Sequence, residues 1–215
     1  MADKTMNAIL HLIEAYTELY KANKSKKVAE RLKFLLSQMS DKVYNPETNA
    51  LRVFFNTRLE EIGDIHSYGH DIEATWLMDL ACETLGDREL IEKFREMNLK
   101  ISKNIQNIAI ENGAMNNERE NNKIDKKRVW WVQAEAVVGF TNAYEKSGDP
   151  SFAASANLIW DYIKNHMVDK REGGEWYSEI SFDGVPHSHK EEVGPWKCPY
   201  HNGRMCLEII KRSIH

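Results

Sequence analysis

Long apolar runs are missing from this 215-residue chain: no stretch approaches the roughly 18 to 20 residues that would span a bilayer, and the first 20 residues carry acidic side chains where a secretory signal would start cationic. Cysteine is scarce as well. Cys82, Cys198 and Cys206 form an odd set without a CxxC pair, which excludes a disulfide framework and suits reduced thiols in a cytoplasmic protein. Charge of one sign is not in excess, since 29 Lys and Arg face 33 Asp and Glu; the net charge of −4 supplies no cationic field for nucleic acid or anionic lipid. Proline is limited to 5 residues and glycine to 11, so breaks in the pattern are few and informative. What remains is 42% apolar residues in a chain long enough to enclose one sizeable core, read here as a single domain over 1–215.

Apolar positions recur at helical spacing. Met6, Ile9, Leu10, Ile13, Tyr16, Thr17 and Tyr20 predict a helix over 4–22, and Val28, Leu32, Leu35 and Leu36 one over 25–39. Asn45-Pro46-Glu47-Thr48-Asn49, flanked by Val43-Tyr44 and by 51–55, predicts a short two-stranded excursion. A second helical pair is expected over 70–85 and 88–111, stopped by Gly86 and Gly113. Residues 114–128 are polar without apolar periodicity and read as a wandering loop, with 118–127 a solvated charge run. A third pair follows over about 131–144 and from Asp149-Pro150 to about Met167, with Pro150 suited to a first turn. Residues 173–186, with Asp183-Gly184, carry a hairpin signature, and 201–212 is a final helix. Seven helices in consecutive hairpins, interrupted by β-like excursions, mean either a solenoid or a closed α/α toroid; periodicity does not separate the two.

Polar pairs interrupt the apolar pattern at helical spacing. Asn7 and His11 share a face of the first helix, His70 and Glu73 share one at the start of the third with Trp76 a turn later, and Trp131 and Glu135 lie on a segment too apolar to be a surface face. Buried carboxylates and imidazoles require partners, and one shared, partly wet cavity would satisfy all three pairs. His201 follows Pro199-Tyr200 at a helix start, and Gly203, two residues on, permits an unusual backbone angle, so the loop could hold the imidazole in a set direction. An aromatic cavity with imidazoles and carboxylates suits a polyhydroxylated ligand. Each position also has a plainer reading: His11 alone as a hydrogen-bonded structural histidine, Glu73 as a charge favoured near a helix N-terminus, and Trp130, Trp160 and Trp176 as core. His187-x-His189 could ligate a metal, but the solvated-loop reading is preferred.

Four segments in order carry a family resemblance: Asp3-Lys-Thr-Met-Asn7 followed by His11; Ser67-Tyr-Gly-His-Asp-Ile-Glu-Ala-Thr-Trp76; Trp130-Trp-Val-Gln-Ala-Glu135; and Gly194-Pro-Trp-Lys-Cys-Pro-Tyr-His201-Asn-Gly-Arg-Met-Cys-Leu-Glu208. Together they resemble the cellobiose 2-epimerases, within the wider N-acylglucosamine 2-epimerase group, from end to end of the chain. The resemblance implies an all-α fold, a twelve-helix (α/α)6 barrel with the site in its central funnel. It also implies that this chain corresponds to the C-terminal part of proteins about twice as long, hence to an incomplete barrel. An arginine that family members supply to the substrate from the N-terminal helices has no counterpart here.

The implied reaction inverts C2 of the reducing-end glucose of a β-1,4-linked disaccharide through ring opening and an enediolate. His11 would exchange protons during ring opening, and His70 and His201 would act on opposite faces of C2. Glu73 and Glu135 would orient and polarise those imidazoles, Trp76 and Trp131 would stack the sugar rings, and Asn7 and Arg204 would contact substrate. No hydride moves and the histidines carry the protons, so neither a cofactor nor a metal is expected. Three alternatives stay open: epimerisation of a monosaccharide or N-acylglucosamine, aldose–ketose isomerisation, and an inactive fragment that binds sugar or self-associates through the apolar face left open by missing helices.

Overall fold

The structure, a computed structural model, describes residues 2–187 and 189–213. Among the described residues three consecutive helical pairs are followed by a single helix: α1 (Met6–Asn23) and α2 (Lys26–Gln38), α3 (Tyr68–Leu85) and α4 (Arg88–Ala109), α5 (Trp130–Ser147) and α6 (Pro150–Tyr162), then α7 (Tyr200–Ser213). Their starts follow capping chemistry. Thr5 accepts from the Ala8 amide at 3.1 Å, Asp87 from Leu90 at 3.3 Å, and Asp149 from Ser151 at 2.9 Å with Pro150 in the first turn.

Burial sorts the helices into two layers. Along α3 and α5 nearly every side chain from the first turn to the third is buried, so both are enclosed on all sides. On α2 and α4 only one stripe is buried: Leu32, Leu35 and Leu36, and Phe94, Met97, Ile101 and Ile105 among others. The inner row α1, α3, α5, α7 packs side by side, and α2, α4 and α6 lie behind α1, α3 and α5. This is the layering of an (α/α)6 toroid, present as an incomplete barrel, and it separates the two architectures that periodicity left open. α3 and α5 approach closely where α5 has no side chain. A Cβ on Gly139 would lie 2.7 Å from the Ile72 carbonyl oxygen.

Short strands sit where the inner helices begin. Lys4–Thr5 pairs with Phe54–Phe55 just before α1, Ile65–Ser67 pairs with Glu118–Glu120 just before α3, and Arg128–Val129 pairs with Glu179–Ile180 just before α5. The expected excursion near Pro46 is the pairing of Tyr44–Asn45 with Ala50–Leu51.

Two expectations need correction. The second helix of the second pair stops at Ala109, because Asn112 and Gly113 have φ of 52° and 83° and make the two-residue turn of a hairpin joining Ile110–Glu111 to Ala114–Met115. The polar segment 114–128 is ordered: Glu118–Glu120 pairs with Lys123–Asp125 across Asn121-Asn122, whose φ values of 47° and 61° again mark a primed turn. Gln133 anchors the start of this region by exchanging two 2.8 Å hydrogen bonds with the Met115 backbone, and fully buried Arg128 holds its end by donating to the Glu111 carbonyl at 2.8 Å. The hairpin expected at Asp183-Gly184 is present as an antiparallel bridge from Ile180 to Pro186, with the Ser181 amide donating to the Val185 carbonyl at 2.9 Å, and Glu179–Ile180 also pairs with Arg128–Val129.

Among the described residues no helix is long and apolar enough to cross a membrane. An apolar groove of about 260 Å³ opens between α5, α6 and α7, lined by Val137, Ala156, Trp160, Met205 and Ile209 among others.

Candidate active site

Each inner helix carries a site residue at its second or third position and another about one turn later, at the same end of the row: Asn7 and His11 on α1, His70 and Glu73 on α3, Trp131 and Glu135 on α5, His201 and Arg204 on α7. Inner helices of a toroid run parallel to one another, so equivalent early positions converge, and residues far apart in the chain meet.

Trp131 stands at the centre. Its ring lies 4.7 Å from the His70 ring and 5.5 Å from the His201 ring, so both imidazoles border one indole. Trp130 meets His201 from another side at 5.4 Å, edge-on, and Tyr200 does so at 4.7 Å. His201 Nδ1 donates to Glu135 Oε1 at 2.7 Å, as expected for a carboxylate that orients an imidazole. Of the two carboxylates expected to orient the imidazoles, Glu73 does not contact His70. His70 Nδ1 lies 2.7 Å from Ser67 Oγ, whereas Glu73 sits 3.9 Å from His201 Nδ1 and pairs with Arg204. Three residues between His70 and Glu73 put their Cα atoms on neighbouring parts of α3, but the first-turn side chain leans toward the residue preceding the helix.

Two further assignments are corrected. Trp76 is 1% exposed; its indole N–H donates to Glu135 Oε2 at 3.0 Å and the Arg204 guanidinium lies 4.9 Å over its ring, so it offers no face to a sugar. Both terminal nitrogens of Arg204 are engaged within the protein, and its Nε is buried without a partner. It donates to Glu73 at 2.5 Å and to Glu135 at 2.8 Å through one terminal nitrogen, and to Glu14 and the Tyr200 hydroxyl through the other. It joins three carboxylates from three helices. Asn7, by contrast, has a buried Oδ1 without a partner, which fits an acceptor waiting for a ligand donor.

The electrostatics follow from burial. Burial, reinforced by the adjacent Glu135 carboxylate, pushes the Glu73 carboxyl up to about 7 despite Arg204. For Glu135 burial also pushes upward, but the hydrogen bond from His201 and the Arg204 charge outweigh it and hold the group below its ordinary value. Burial lowers His70 to about 4, helped by repulsion from His11 and His201, so its imidazole is neutral at pH 7. His11 moves the other way because its Nδ1 bonds Glu14 Oε2 at 2.9 Å.

Glu73, Glu135 and His201 also bring three possible metal-ligand atoms within 4.8 Å of one another. The Arg204 guanidinium already binds the Glu73 and Glu135 oxygens concerned and supplies the positive charge there, so the donor set is occupied from within the protein. His187 of the HxH segment pairs through Nδ1 with Glu179 at 2.5 Å and stacks on His189.

Sequence reasoning did not single out Glu14, Tyr200, Ser67 or the contact of Trp130 with His201. Glu14 was detectable as the i+3 neighbour of His11, and Ser67 as the residue before α3; the role of Tyr200 depends on α7 meeting α1 and left no local signal.

A profile described as N-acylglucosamine 2-epimerase matches residues 2–203. The chain belongs to this family. Cellobiose 2-epimerase of Ruminococcus albus is 70% identical over 213 residues, 99% of this chain and 55% of that protein. The enzyme of the same name from Dictyoglomus turgidum is 45% identical over 212 residues, 99% of this chain and 54% of its own length. Among solved structures, cellobiose 2-epimerase from Bacillus thermoamylovorans superposes with a TM-score of 0.95 at 47% identity, covering 99% of this chain and 54% of that one. A D-mannose isomerase shares the fold, with a TM-score of 0.83 at 19% identity. This member of the N-acylglucosamine 2-epimerase family thus spans a little over half the length of the relatives it matches.

Proposed function

We propose that this chain carries the proton-transfer residues of a sugar 2-epimerase acting on the reducing-end glucose of a β-1,4-linked disaccharide such as cellobiose. The observation that supports it is the pair of imidazoles, His70 and His201, bordering one indole from two helices.

A C2 hydrogen is not acidic in a closed pyranose, so the ring opens first. His11 exchanges protons between the ring oxygen and the C1 hydroxyl, using the nitrogen that Glu14 leaves free. In the open aldehyde C2 lies beside a carbonyl. His70, neutral above about pH 4, takes the C2 proton on Nε2 while its Nδ1–H donates to Ser67. The electron pair moves into an enediolate, whose developing negative charge is stabilised by nearby donors. His201 then returns a proton to the other face of C2 through its own Nε2, with Nδ1–H held by Glu135. The sugar stacks on Trp131, and Asn7 Oδ1 accepts from a hydroxyl. One proton leaves and one returns, so the reaction is an isomerisation without a redox partner.

The test is incubation of the chain with cellobiose in heavy water, followed by NMR and sugar analysis. The expected result is deuterium at C2 and glucosyl-mannose as product; a ketose instead would redirect the reading to aldose–ketose isomerisation. Neither label nor product from cellobiose or glucose would refute the proposal for this chain.

A further inference from the structure

Glu14 collects three donors from two helices. His11 Nδ1, one turn before it on α1, lies 2.9 Å from its Oε2; the Tyr200 hydroxyl reaches both oxygens at 2.7 and 2.6 Å; and Arg204 donates to Oε1. Tyr200 and Arg204 belong to α7, at the far end of the inner row in sequence. An ionised carboxylate only accepts hydrogen bonds, so a His11 Nδ1 in contact with it must carry the proton. Glu14 is ionised: burial would push its carboxyl up, but the His11 hydrogen bond, the Arg204 charge and the Tyr200 hydroxyl together hold it at about 2.

We propose that Glu14 is a positioning residue of this site: it fixes the Nδ1–H tautomer of His11, leaving Nε2 to exchange a proton with a sugar oxygen, and it anchors the guanidinium of Arg204 against Glu73 and Glu135. The catalytic part of this statement rests on the epimerase reading above; the tautomer does not. His11 faces other charges besides Glu14. Glu73 and His70 approach from α3, and Arg204 and Tyr200 from α7, the Tyr200 ring 6.5 Å away. Glu14 is the one of these in hydrogen-bond contact with the imidazole, so it decides which nitrogen bears hydrogen, whereas the others act on charge alone.

Long-range proton–nitrogen NMR on the nitrogen-15-labelled full chain, with His11 assigned from His11→Asn, tests this. In the unsubstituted chain above the His11 midpoint, Nδ1 should show the pyrrole-type shift and Nε2 the pyridine-type shift. Glu14→Gln keeps an acceptor but removes the charge, and the His11 midpoint should fall by about one pH unit or more. Glu14→Ala also removes the acceptor and should return the ring to the Nε2–H form. Turnover of cellobiose by Glu14→Gln should drop about tenfold or more in kcat with KM little changed.

A protonated Nε2 in the unsubstituted chain overturns the proposal whether or not the variants fold. So does a Glu14→Gln midpoint equal to that of the unsubstituted chain, or a Glu14→Gln variant that loses only KM. Absence of turnover in the unsubstituted chain would sink the epimerase reading, while the tautomer result still decides the role of Glu14.

Discussion

Glu73→Gln should make this protein more stable, and by an amount that depends on pH. Glu73 is fully buried, one of its oxygens has no partner, and its other oxygen shares an Arg204 nitrogen with Glu135. Burial and the neighbouring carboxylate raise it from 4.5 to about 7, so the folded chain resists ionising a group that the unfolded chain ionises freely. The sign is then fixed. Between pH 4.5 and 7 the folded state holds more protons than the unfolded state, so stability falls as pH rises through that window and levels off above it. At about 1.36 kcal/mol per pH unit of displacement, the cost approaches ~3 kcal/mol near and above neutrality and vanishes below pH 4.5. A glutamine has no such cost and still offers Arg204 an acceptor. For a chain of this size that is a gain in Tm of about 6 to 12 °C at pH 8 and almost none at pH 4.5. Thermal or urea unfolding of both proteins at pH 4.5, 6 and 8 measures it. A difference that does not change with pH would refute the reasoning. So would a less stable variant at pH 8, since the ionised Glu73 would then be a net stabilising partner of Arg204.

The site and the helix contacts make other expectations measurable. His70→Asn should lower cellobiose turnover about 10² to 10⁴-fold. Because the folded value of His70 lies near 4 and the ordinary value at 6.5, the unsubstituted chain should also lose stability relative to this variant as pH falls from 6.5 toward 4, read by unfolding across that range. Gly139→Ala would drive a methyl to 2.7 Å from the Ile72 carbonyl and should cost ~1 to 3 kcal/mol, seen as a lower Tm; an unchanged Tm would mean that α3 and α5 are not in such close contact. Trp76→Phe removes the donor to Glu135 Oε2 and leaves a buried carboxylate oxygen unpaired, a loss of ~1 to 3 kcal/mol in urea unfolding.

Helix periodicity, glycine and proline placement, and capping residues are local properties of the chain, and they determined α1 to α7 to within a few residues. The same locality revealed which polar residues interrupt the apolar stripes: Asn7, His11, His70, Glu73, Trp131 and Glu135. Motif order pointed to the family. Local pattern failed over 114–128, because strands of two or three residues are too short to show an alternation and their pairing partners, such as Ser67 for Glu118, lie far away in the chain. Tertiary structure alone decided which partner each polar group takes. Spacing placed His70 and Glu73 on one face of a helix but not their partners: His70 bonds Ser67, and Glu73 pairs with an arginine 131 positions further on. Trp76 looked like a sugar platform until α5 and α7 covered it with Glu135 and Arg204. A helix face is fixed by the residues on it, but the charge, exposure and hydrogen-bond partner of a side chain on that face depend on what the other helices bring against it.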